Sequence, residues 1–275
     1  MPKKNLSSSG QTGPLSVGNV VSASLRIYRD HFKSYFGLAL VAYLWLLVPI
    51  YGWAKYSAIS ALISRLAFGE VRENPETVSD ARREVNPRMW SFLWAGVLTS
   101  LIFLGVYFAG TIAMIVLGAG AAIFKGNFII IAALAVVVTL IAFLIMYIRI
   151  VSRLLIVELP LAIENNIDAS SAISRSWELT KGSVGRIQSI VFVAFLMSLP
   201  LYIVSNLLSV FFEKVLTALF GAQSSLFFLV YIILTLGQMI GFGALITPFW
   251  QVIKAIIYYD LRSRKEGLGL QMRDR

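Results

Sequence analysis

The chain lacks cysteine and contains a single histidine, His31, in 275 residues. Without cysteine it has no disulfide bond, no thiolate nucleophile and no thiolate metal ligand. A lone histidine excludes metal motifs that need two histidines, and a Ser-His-Asp arrangement would have to use His31 itself. A glycine-rich phosphate loop with its lysine is also missing. The sequence therefore predicts a protein that is not an enzyme and that binds no metal or other cofactor.

Charged residues are scarce and apolar residues abundant. Charged side chains make up 14% of the chain and hydrophobic ones 58%, above the roughly 45–50% of soluble domains. At about 1.5 Å per helical residue, each long apolar stretch can cross a hydrocarbon core of about 30 Å. The stretches are 35–53, 89–124, 127–148, 187–212 and 226–257. This composition predicts an all-α polytopic membrane protein.

The distribution of basic residues sets the number of crossings. Five crossings would place the four arginines of 72–88 opposite the basic N-terminal region, against the positive-inside bias. The first apolar block must therefore turn back near Pro49, and Tyr56 to Phe68 supplies a weaker second segment in which Arg65 reaches the cytosolic surface. The prediction is six transmembrane helices, arranged as three hairpins, with both termini in the cytosol.

This arrangement sorts twenty of the 24 lysines and arginines onto the cytosolic side. Only Lys55, Lys125 and Lys214 are predicted to lie outside. The net charge of +10 then reflects topology, with cytosolic cations near anionic headgroups. Nucleic-acid binding is not expected, because the chain has no basic-aromatic module.

The chain reads as one membrane domain with an internal repeat. A mobile arm is expected at 1–14, the domain at 15–267 and a tail at 268–275. Aligning Arg26 with Arg175 brings Pro49 within two residues of Pro200, and a weaker middle copy begins at Thr77. The predicted units are 16–69, 77–163 and 168–260, each an amphipathic interfacial helix followed by a membrane hairpin. Chance similarity among apolar sequences is the alternative.

Two amphipathic helices are clearest, one over Ser16 to Phe36 and one over 168–182. Their apolar residues recur at helical spacing opposite basic residues, a pattern suited to the headgroup layer. Asp168 is a predicted N-cap, and Trp177 stands one turn from Lys181, within reach of a cation–π contact. Anchoring of the next span is the expected role, and ligand binding is the alternative.

Few polar residues fall inside the predicted spans. Asn206 and Gln238 are expected to form helix–helix hydrogen bonds, with an intramembrane substrate site as the alternative. Arg149, Arg153, Glu158 and Glu164 follow the fourth span near the inner interface, where Arg153 is expected to pair with Glu158. A polar cytosolic cavity around these four residues is the functional alternative.

Two runs of residues carry a resemblance. They are Val157 to Gly182, with its Arg-Ser-Trp-x-Leu-x-x-Gly block, and Tyr258 to Gly267, with its Tyr-Asp-Leu-Arg segment. This half of the chain resembles a bacterial superfamily that includes the membrane domain attached to glycerophosphodiester phosphodiesterases, and the front half looks like cyanobacterial stand-alone versions. The resemblance implies a six-helix membrane domain without the catalytic barrel. The motif residues, with Arg153, are Glu158, Pro160, Glu164, Arg175, Trp177, Lys181, Gly182, Tyr259, Asp260 and Arg262.

These observations favour a non-enzymatic membrane protein that acts by association, as a scaffold, assembly factor or complex subunit. The expected location is a bacterial inner or thylakoid membrane. The expected partners are membrane lipids, including those with anionic headgroups, and either another membrane protein or a second copy of the chain. A transporter or lipid-handling protein is the alternative. That alternative predicts a cavity reaching mid-membrane, lined by Asn206, Gln238 and backbone near Pro200 or Pro248.

Overall fold

The computed structural model describes residues 16–123 and 128–267, which form ten α-helices, one 3-10 turn and no strand. The predicted all-α class is confirmed. The predicted arm 1–14, the tail 268–275 and Lys125 lie outside the described residues. The helices are α1 (Val17–Asp30), α2 (Phe32–Trp45), α3 (Tyr51–Val71), α4 (Val78–Val85), α5 (Met89–Ile123), α6 (Phe128–Leu154), α7 (Glu158–Ile163), α8 (Ala169–Thr180), α9 (Val184–Phe220) and α10 (Ser225–Glu266).

Each of the three predicted amphipathic helices begins at a polar N-cap. The cap side chain in each helix accepts a hydrogen bond from the backbone N–H three residues later, and the caps are Ser16, Thr77 and Asp168. Each bond satisfies one of the N–H donors that have no partner within the first helical turn. Hydrogen bonds from Ser171 and Ser170 also lower the pKa of the Asp168 carboxyl. The predicted cap at Asp168 is confirmed, and this carboxylate keeps its charge at the start of α8 into mildly acidic solution.

The first amphipathic helix is shorter than predicted. It ends at Asp30 because His31 leaves the helical conformation, and α2 begins at Phe32. The apolar side chains Val20 and Val21 are buried against α9 and α10. Helices, rather than the headgroup layer alone, therefore cover this face of α1.

Four helical segments are long and apolar enough to cross a membrane. They are Val78–Gly120, Ile129–Ile163, Val184–Phe220 and Ser225–Glu266, and they contain α5, α6, α9 and α10. In the most apolar 18-residue stretch of the segment that contains α6, no residue is buried. Such apolar surfaces need a lipid or protein environment. A membrane-embedded protein with four candidate spanning helices is thus supported, whereas α2 and α3 are not among the candidates.

The hairpin of α2 and α3 lies beside the second half of α10. Ser64 of α3 contacts Gln251 of α10, with 2.8 Å between Ser64 Oγ and Gln251 Oε1. One turn further along α3 and two turns further along α10, the ring centroids of Phe68 and Tyr258 are 5.6 Å apart. Residue numbers increase together along the contact, so α3 runs in the same direction as α10.

The same hairpin stops well short of the first residue of α10. Tyr43, near the end of α2, has its hydroxyl 3.0 Å from Thr247 Oγ1. The loop at 46–50, which forms the tip of the hairpin, begins three residues after Tyr43. Thr247 lies about 22 residues, or roughly 33 Å, beyond Ser225 along α10. The hairpin tip therefore ends roughly 25 Å short of the level of Ser225, and Lys55, in the first turns of α3, does not lie level with Lys214.

The order of elements follows the three predicted units, but the units differ in three dimensions. A short helix precedes a helix pair in each: α1 before α2 and α3, α4 before α5 and α6, and α8 before α9 and α10. Pro49 lies in the turn after α2, whereas Pro200 lies inside α9. The aligned prolines therefore occupy different structural positions, and the first pair is much shorter than the other two.

The core is built around α3. Thirteen of its residues are buried, most of them Ala, Ser, Gly or Leu, and it contacts α2, α4, α5, α7 and α10. Small side chains let these helices approach closely. Leu62, Ile63, Ile253, Ile256 and Tyr258 fill the centre. Packing is thus concentrated where the second half of α10 meets the shorter helices.

Candidate functional site

A polar cavity of about 350 Å³ lies where α3, α5 and α10 meet the segment joining α6 to α7. Its walls combine apolar side chains such as Phe92 and Leu154 with a concentration of hydroxyl and charged groups. The polar lining consists of Tyr56, Ser57, Ser60, Thr99, Ser100, Glu158, Gln251 and Lys254. Polar residues thus make up more than half of the lining of this cavity.

Helical spacing explains why these groups face one space. Ser57, Ser60 and Ser64 follow one another at intervals of three and four residues along α3, and Gln251 and Lys254 are three apart on α10. Residues at such intervals share one helix face. The parallel arrangement of α3 and α10 then brings the two polar faces together.

An ion pair closes one side of the cavity. Lys254 Nζ lies 3.0 Å from Glu158 Oε1, and both side chains are mostly buried, with exposed fractions of 20% and 25%. Ser64 Oγ lies 2.8 Å from Gln251 Oε1 and 3.3 Å from Glu158 Oε1, and its single proton serves one of the two acceptors. Polar contacts therefore connect α10, α7 and α3.

Two arginines hold α7, which carries Glu158. Arg65 Nη1 donates to the carbonyl oxygen of Ala162 at 2.7 Å. Arg88 Nη1 donates to the carbonyl oxygens of Leu161 and Glu164. These are C-terminal carbonyls of a short helix, which lack partners within it. Arg65 therefore fixes the position of Glu158 instead of only reaching the cytosolic surface.

Two hydroxyl groups at the cavity have no hydrogen-bond partner among the described residues. They are Ser60 Oγ, on a side chain that is 3% exposed, and Thr99 Oγ1. Buried polar groups are nearly always paired with protein, water or ligand, because an unpaired one costs about 1–3 kcal/mol. Both residues line the cavity, and rotation of each side chain would turn its buried hydroxyl towards water or a polar group inside the cavity.

A second cavity, of about 360 Å³, lies between α2, α3, α9 and α10. It shares Tyr56, Gln251 and Lys254 with the first cavity. The rest of its wall is mainly aromatic and aliphatic: Tyr43, Tyr202, Met239, Phe242, Ile246 and Trp250. A polar and a predominantly apolar space thus adjoin at Lys254.

Gly243 is required where α10 passes Tyr43 at this second cavity. A Cβ atom at Gly243 would come within 2.2 Å of the Tyr43 ring, whereas a Cβ at Gly241 meets no atom within 4 Å. We expect Gly243→Ala to displace Tyr43 and to lower the free energy of unfolding by about 1–3 kcal/mol. Gly241→Ala, one half-turn away, should be neutral or stabilising. Unfolding of both variants in mixed micelles checks this, and equal stability would contradict the close packing.

The Arg-Ser-Trp block and the end of α10 meet in a charge cluster, which we call the clasp. Arg175 Nε donates to Glu164 Oε1 at 3.2 Å, and its Nη2 pairs with Glu266. Arg262 Nε donates to Glu266 Oε2 at 2.7 Å, and the Tyr258 hydroxyl bonds Glu164. Burial opposes the charge of Arg175, but Glu164 and Glu266 raise its pKa. Arg175 therefore stays charged near neutral pH, and the clasp joins α7, α8 and α10.

Arg153 does not pair with Glu158 as predicted. Its guanidinium lies over the Trp177 ring, 4.4 Å from the ring centroid, and Glu158 pairs with Lys254 instead. The predicted cation–π partner of Trp177, Lys181, is replaced by Arg153. Packing of α6 against α8 decides the contact of Arg153 with Trp177, and packing of α7 against α10 decides the contact of Glu158 with Lys254.

The remaining motif residues form contacts between helices or lie at a helix end. Lys265 Nζ donates to the carbonyl oxygen of Lys181 at 3.0 Å, and Gly182, with a φ of 82°, takes the left-handed conformation that ends α8. Asp260 pairs with Arg186 and Arg264. Tyr259 packs its ring near Phe68, and Pro160 is buried in α7.

Asn206 and Gln238 do not line either cavity. Asn206 Nδ2 donates to the carbonyl oxygen of Tyr202 in its own helix. Gln238 Nε2 reaches Ser205 Oγ at 2.8 Å and Ser209 Oγ at 2.7 Å, which joins α9 to α10. The predicted helix–helix hydrogen bond is confirmed for Gln238 and is wrong for Asn206.

The sequence interpretation found one cavity residue, Glu158, and missed its partners. Lys254 was counted only as a cytosolic charge, and Ser60, Thr99 and Gln251 were not singled out. The available signal was the shared spacing of polar residues on α3 and α10. Within residues 16–123 and 128–267, no cluster of three or more His, Asp or Glu side chains is arranged to hold a metal ion.

Comparison of the chain with protein-family models, with curated proteins and with solved structures gives no match in any of the three. The resemblance to phosphodiesterase-associated membrane domains therefore stays a prediction.

Proposed function

We propose that this chain is an integral membrane protein that binds an amphipathic small molecule in the polar cavity, that is, a lipid-handling protein without catalytic activity. The observation that carries this proposal is a cavity with an ion pair and two unpartnered hydroxyls, Ser60 and Thr99, inside a bundle of apolar helices. A helix–helix hydrogen bond explains Gln238, but not these groups. Polar groups in such surroundings are costly unless they serve a ligand or water.

The depth of the cavity relative to the bilayer supports a lipid as its ligand. A crossing needs about 20 residues, so the crossing of α6 that begins at Phe128 ends near Arg149. The crossing of α10, begun in its first two turns, ends near Trp250. Glu158 and Lys254 follow these ends within about one to three helical turns. Both charges then lie at the level of the inner headgroups.

The topology that we propose has four full crossings and one re-entrant hairpin. The basic residues favour an even number of crossings, with both termini and residues 70–88 in the cytosol. The short hairpin of α2 and α3 then enters the inner half of the bilayer and returns, in place of two of the six crossings predicted from sequence. Exposed apolar residues at its tip, such as Leu47 and Ile50, suit that position. The resemblance implies a bacterial inner or thylakoid membrane.

Filling the cavity tests ligand binding directly. Gly96 lines the cavity, and a Cβ atom there meets nothing within 4 Å. We expect Gly96→Phe to fill the space without a backbone clash and to weaken lipid binding about tenfold or more. Native mass spectrometry of the delipidated chain, titrated with a bacterial polar lipid extract, measures the loss.

The matched control is Gly105→Phe. Gly105 lies on the same helix, also has open space around it, and does not line either cavity. This variant should bind lipid as the parent does. Equal binding by the parent and both variants would overturn the cavity as the binding site.

Association with a membrane protein or a second copy is a second candidate function. The observation in its favour is the α5–α6 hairpin, whose most apolar stretches are almost entirely unburied by the rest of the chain. Lipid-mediated solvation accounts for the same surface. Mass photometry in nanodiscs distinguishes the two, because a single-chain particle with no co-purifying protein would argue against this candidate.

A further inference from the structure

The charges at the cavity specify the kind of group that enters it. Among the described residues, Lys254 and Glu158 are the only charged side chains that line either cavity. The lining thus carries one positive and one negative charge in contact, and no net charge. An anionic ligand would bring a second negative charge towards Glu158, and a cationic ligand would face Lys254.

Both members of the pair retain hydrogen-bonding capacity. Lys254 has three N–H donors and uses one, towards Glu158 Oε1. Glu158 Oε2 has no hydrogen-bond donor among the described residues. The hydroxyls of Ser60 and Thr99 add two donors that have no partner within residues 16–123 and 128–267. The cavity therefore offers donors for an anionic group beside an acceptor for a cationic one.

Resting on the proposed function, we infer that the polar cavity takes a zwitterionic headgroup, one that carries a phosphate and a primary ammonium a few bonds apart. Its phosphate binds the Lys254 ammonium and the two hydroxyls, and its ammonium donates to Glu158. Each ligand charge then meets its opposite, and no charge stays uncompensated in a low-dielectric site. The adjoining apolar cavity, with Met239 and Trp250 in its wall, receives an acyl chain.

Lipids with matched acyl chains test this inference. The probes are phosphatidylethanolamine, anionic phosphatidylglycerol, a neutral glycolipid and water-soluble phosphoethanolamine, each titrated against the delipidated full chain by native mass spectrometry. We expect phosphatidylethanolamine to bind about tenfold more tightly than phosphatidylglycerol or the glycolipid. Soluble phosphoethanolamine should compete only weakly, because it lacks the chain for the second cavity.

The matched variant removes both charges together. Lys254→Met alone would leave Glu158 unpaired and destabilise the fold, so the double variant K254M/E158Q is the better probe. It should stay folded and should bind phosphatidylethanolamine no more tightly than phosphatidylglycerol or the glycolipid. Lys33→Met, which removes an exposed lysine that lines neither cavity, should keep the preference.

The possible outcomes separate the inference about the zwitterionic headgroup from the proposed lipid-binding function. Equal or tighter binding of phosphatidylglycerol, or an unchanged preference in K254M/E158Q, would overturn the zwitterion inference while the proposed function stands. Tight binding of phosphoethanolamine alone would keep the zwitterion and overturn the lipid as its source. Absence of binding by every lipid would overturn the proposed function itself.

Discussion

Replacing Arg175 by methionine is expected to lower the free energy of unfolding by about 3 kcal/mol, because two largely buried carboxylates lose their shared cation. Among the residues that the structure describes, Glu164 would keep only the Tyr258 hydroxyl, and Glu266 only Arg262. The side chains of Arg175, Glu164 and Glu266 are 24%, 16% and 26% exposed, so solvent screens the clasp only in part. Unfolding by SDS in mixed micelles measures the change.

The control removes an exposed ion pair. Arg29 pairs with Asp30, and their side chains are 79% and 52% exposed, so Arg29→Met should change the free energy of unfolding by less than about 0.5 kcal/mol. Adding Glu164→Gln to the Arg175 variant should recover part of the loss, since no unpaired carboxylate then faces Tyr258. Equal losses in both single variants would mean that the clasp contributes nothing specific.

A cysteine at position 55 is expected to stay unlabelled by a membrane-impermeant maleimide added from the outer face. The residue lies just before Tyr56, whose ring is 5.3 Å from that of Tyr43, and the hairpin tip ends well short of Ser225. The parent chain has no cysteine, so each single-cysteine variant is labelled without background. Labelling rates in sealed cells or vesicles provide the measurement.

Two further positions calibrate the labelling experiment. Lys214→Cys, exposed in the last turns of α9, should react from the outer face, and Arg82→Cys only from the inner face. Outer labelling of position 55 at the rate of position 214 would restore six full crossings. Outer labelling of position 82 would instead remove the hairpin altogether.

Local chemistry let the sequence predict where short helices begin. Ser16, Thr77 and Asp168 precede amphipathic stretches, and an N-cap acts on backbone N–H groups within three residues. Such information is contained in a short window. The predicted start of α8 at Asp168 is therefore confirmed.

The two crossings assigned to α2 and α3 show where hydropathy becomes ambiguous. Composition cannot distinguish an apolar helix that faces lipid from one that faces protein, and α3 is apolar because it is buried by five neighbouring helices. The positive-inside distribution of lysines and arginines required only that the chain return to the cytosolic side after α2 and α3. A short hairpin meets that requirement as well as two full crossings do.

The sequence by itself determined the all-α membrane class, because long apolar runs must satisfy their backbone hydrogen bonds as helices in lipid. Only the tertiary structure decided which charges meet. Lys254 pairs with Glu158 across 96 residues of chain, and Arg175 with Glu266 across 91. Side-chain pairing at such separations depends on how helices pack, and packing is decided by the shapes of all the neighbours at once.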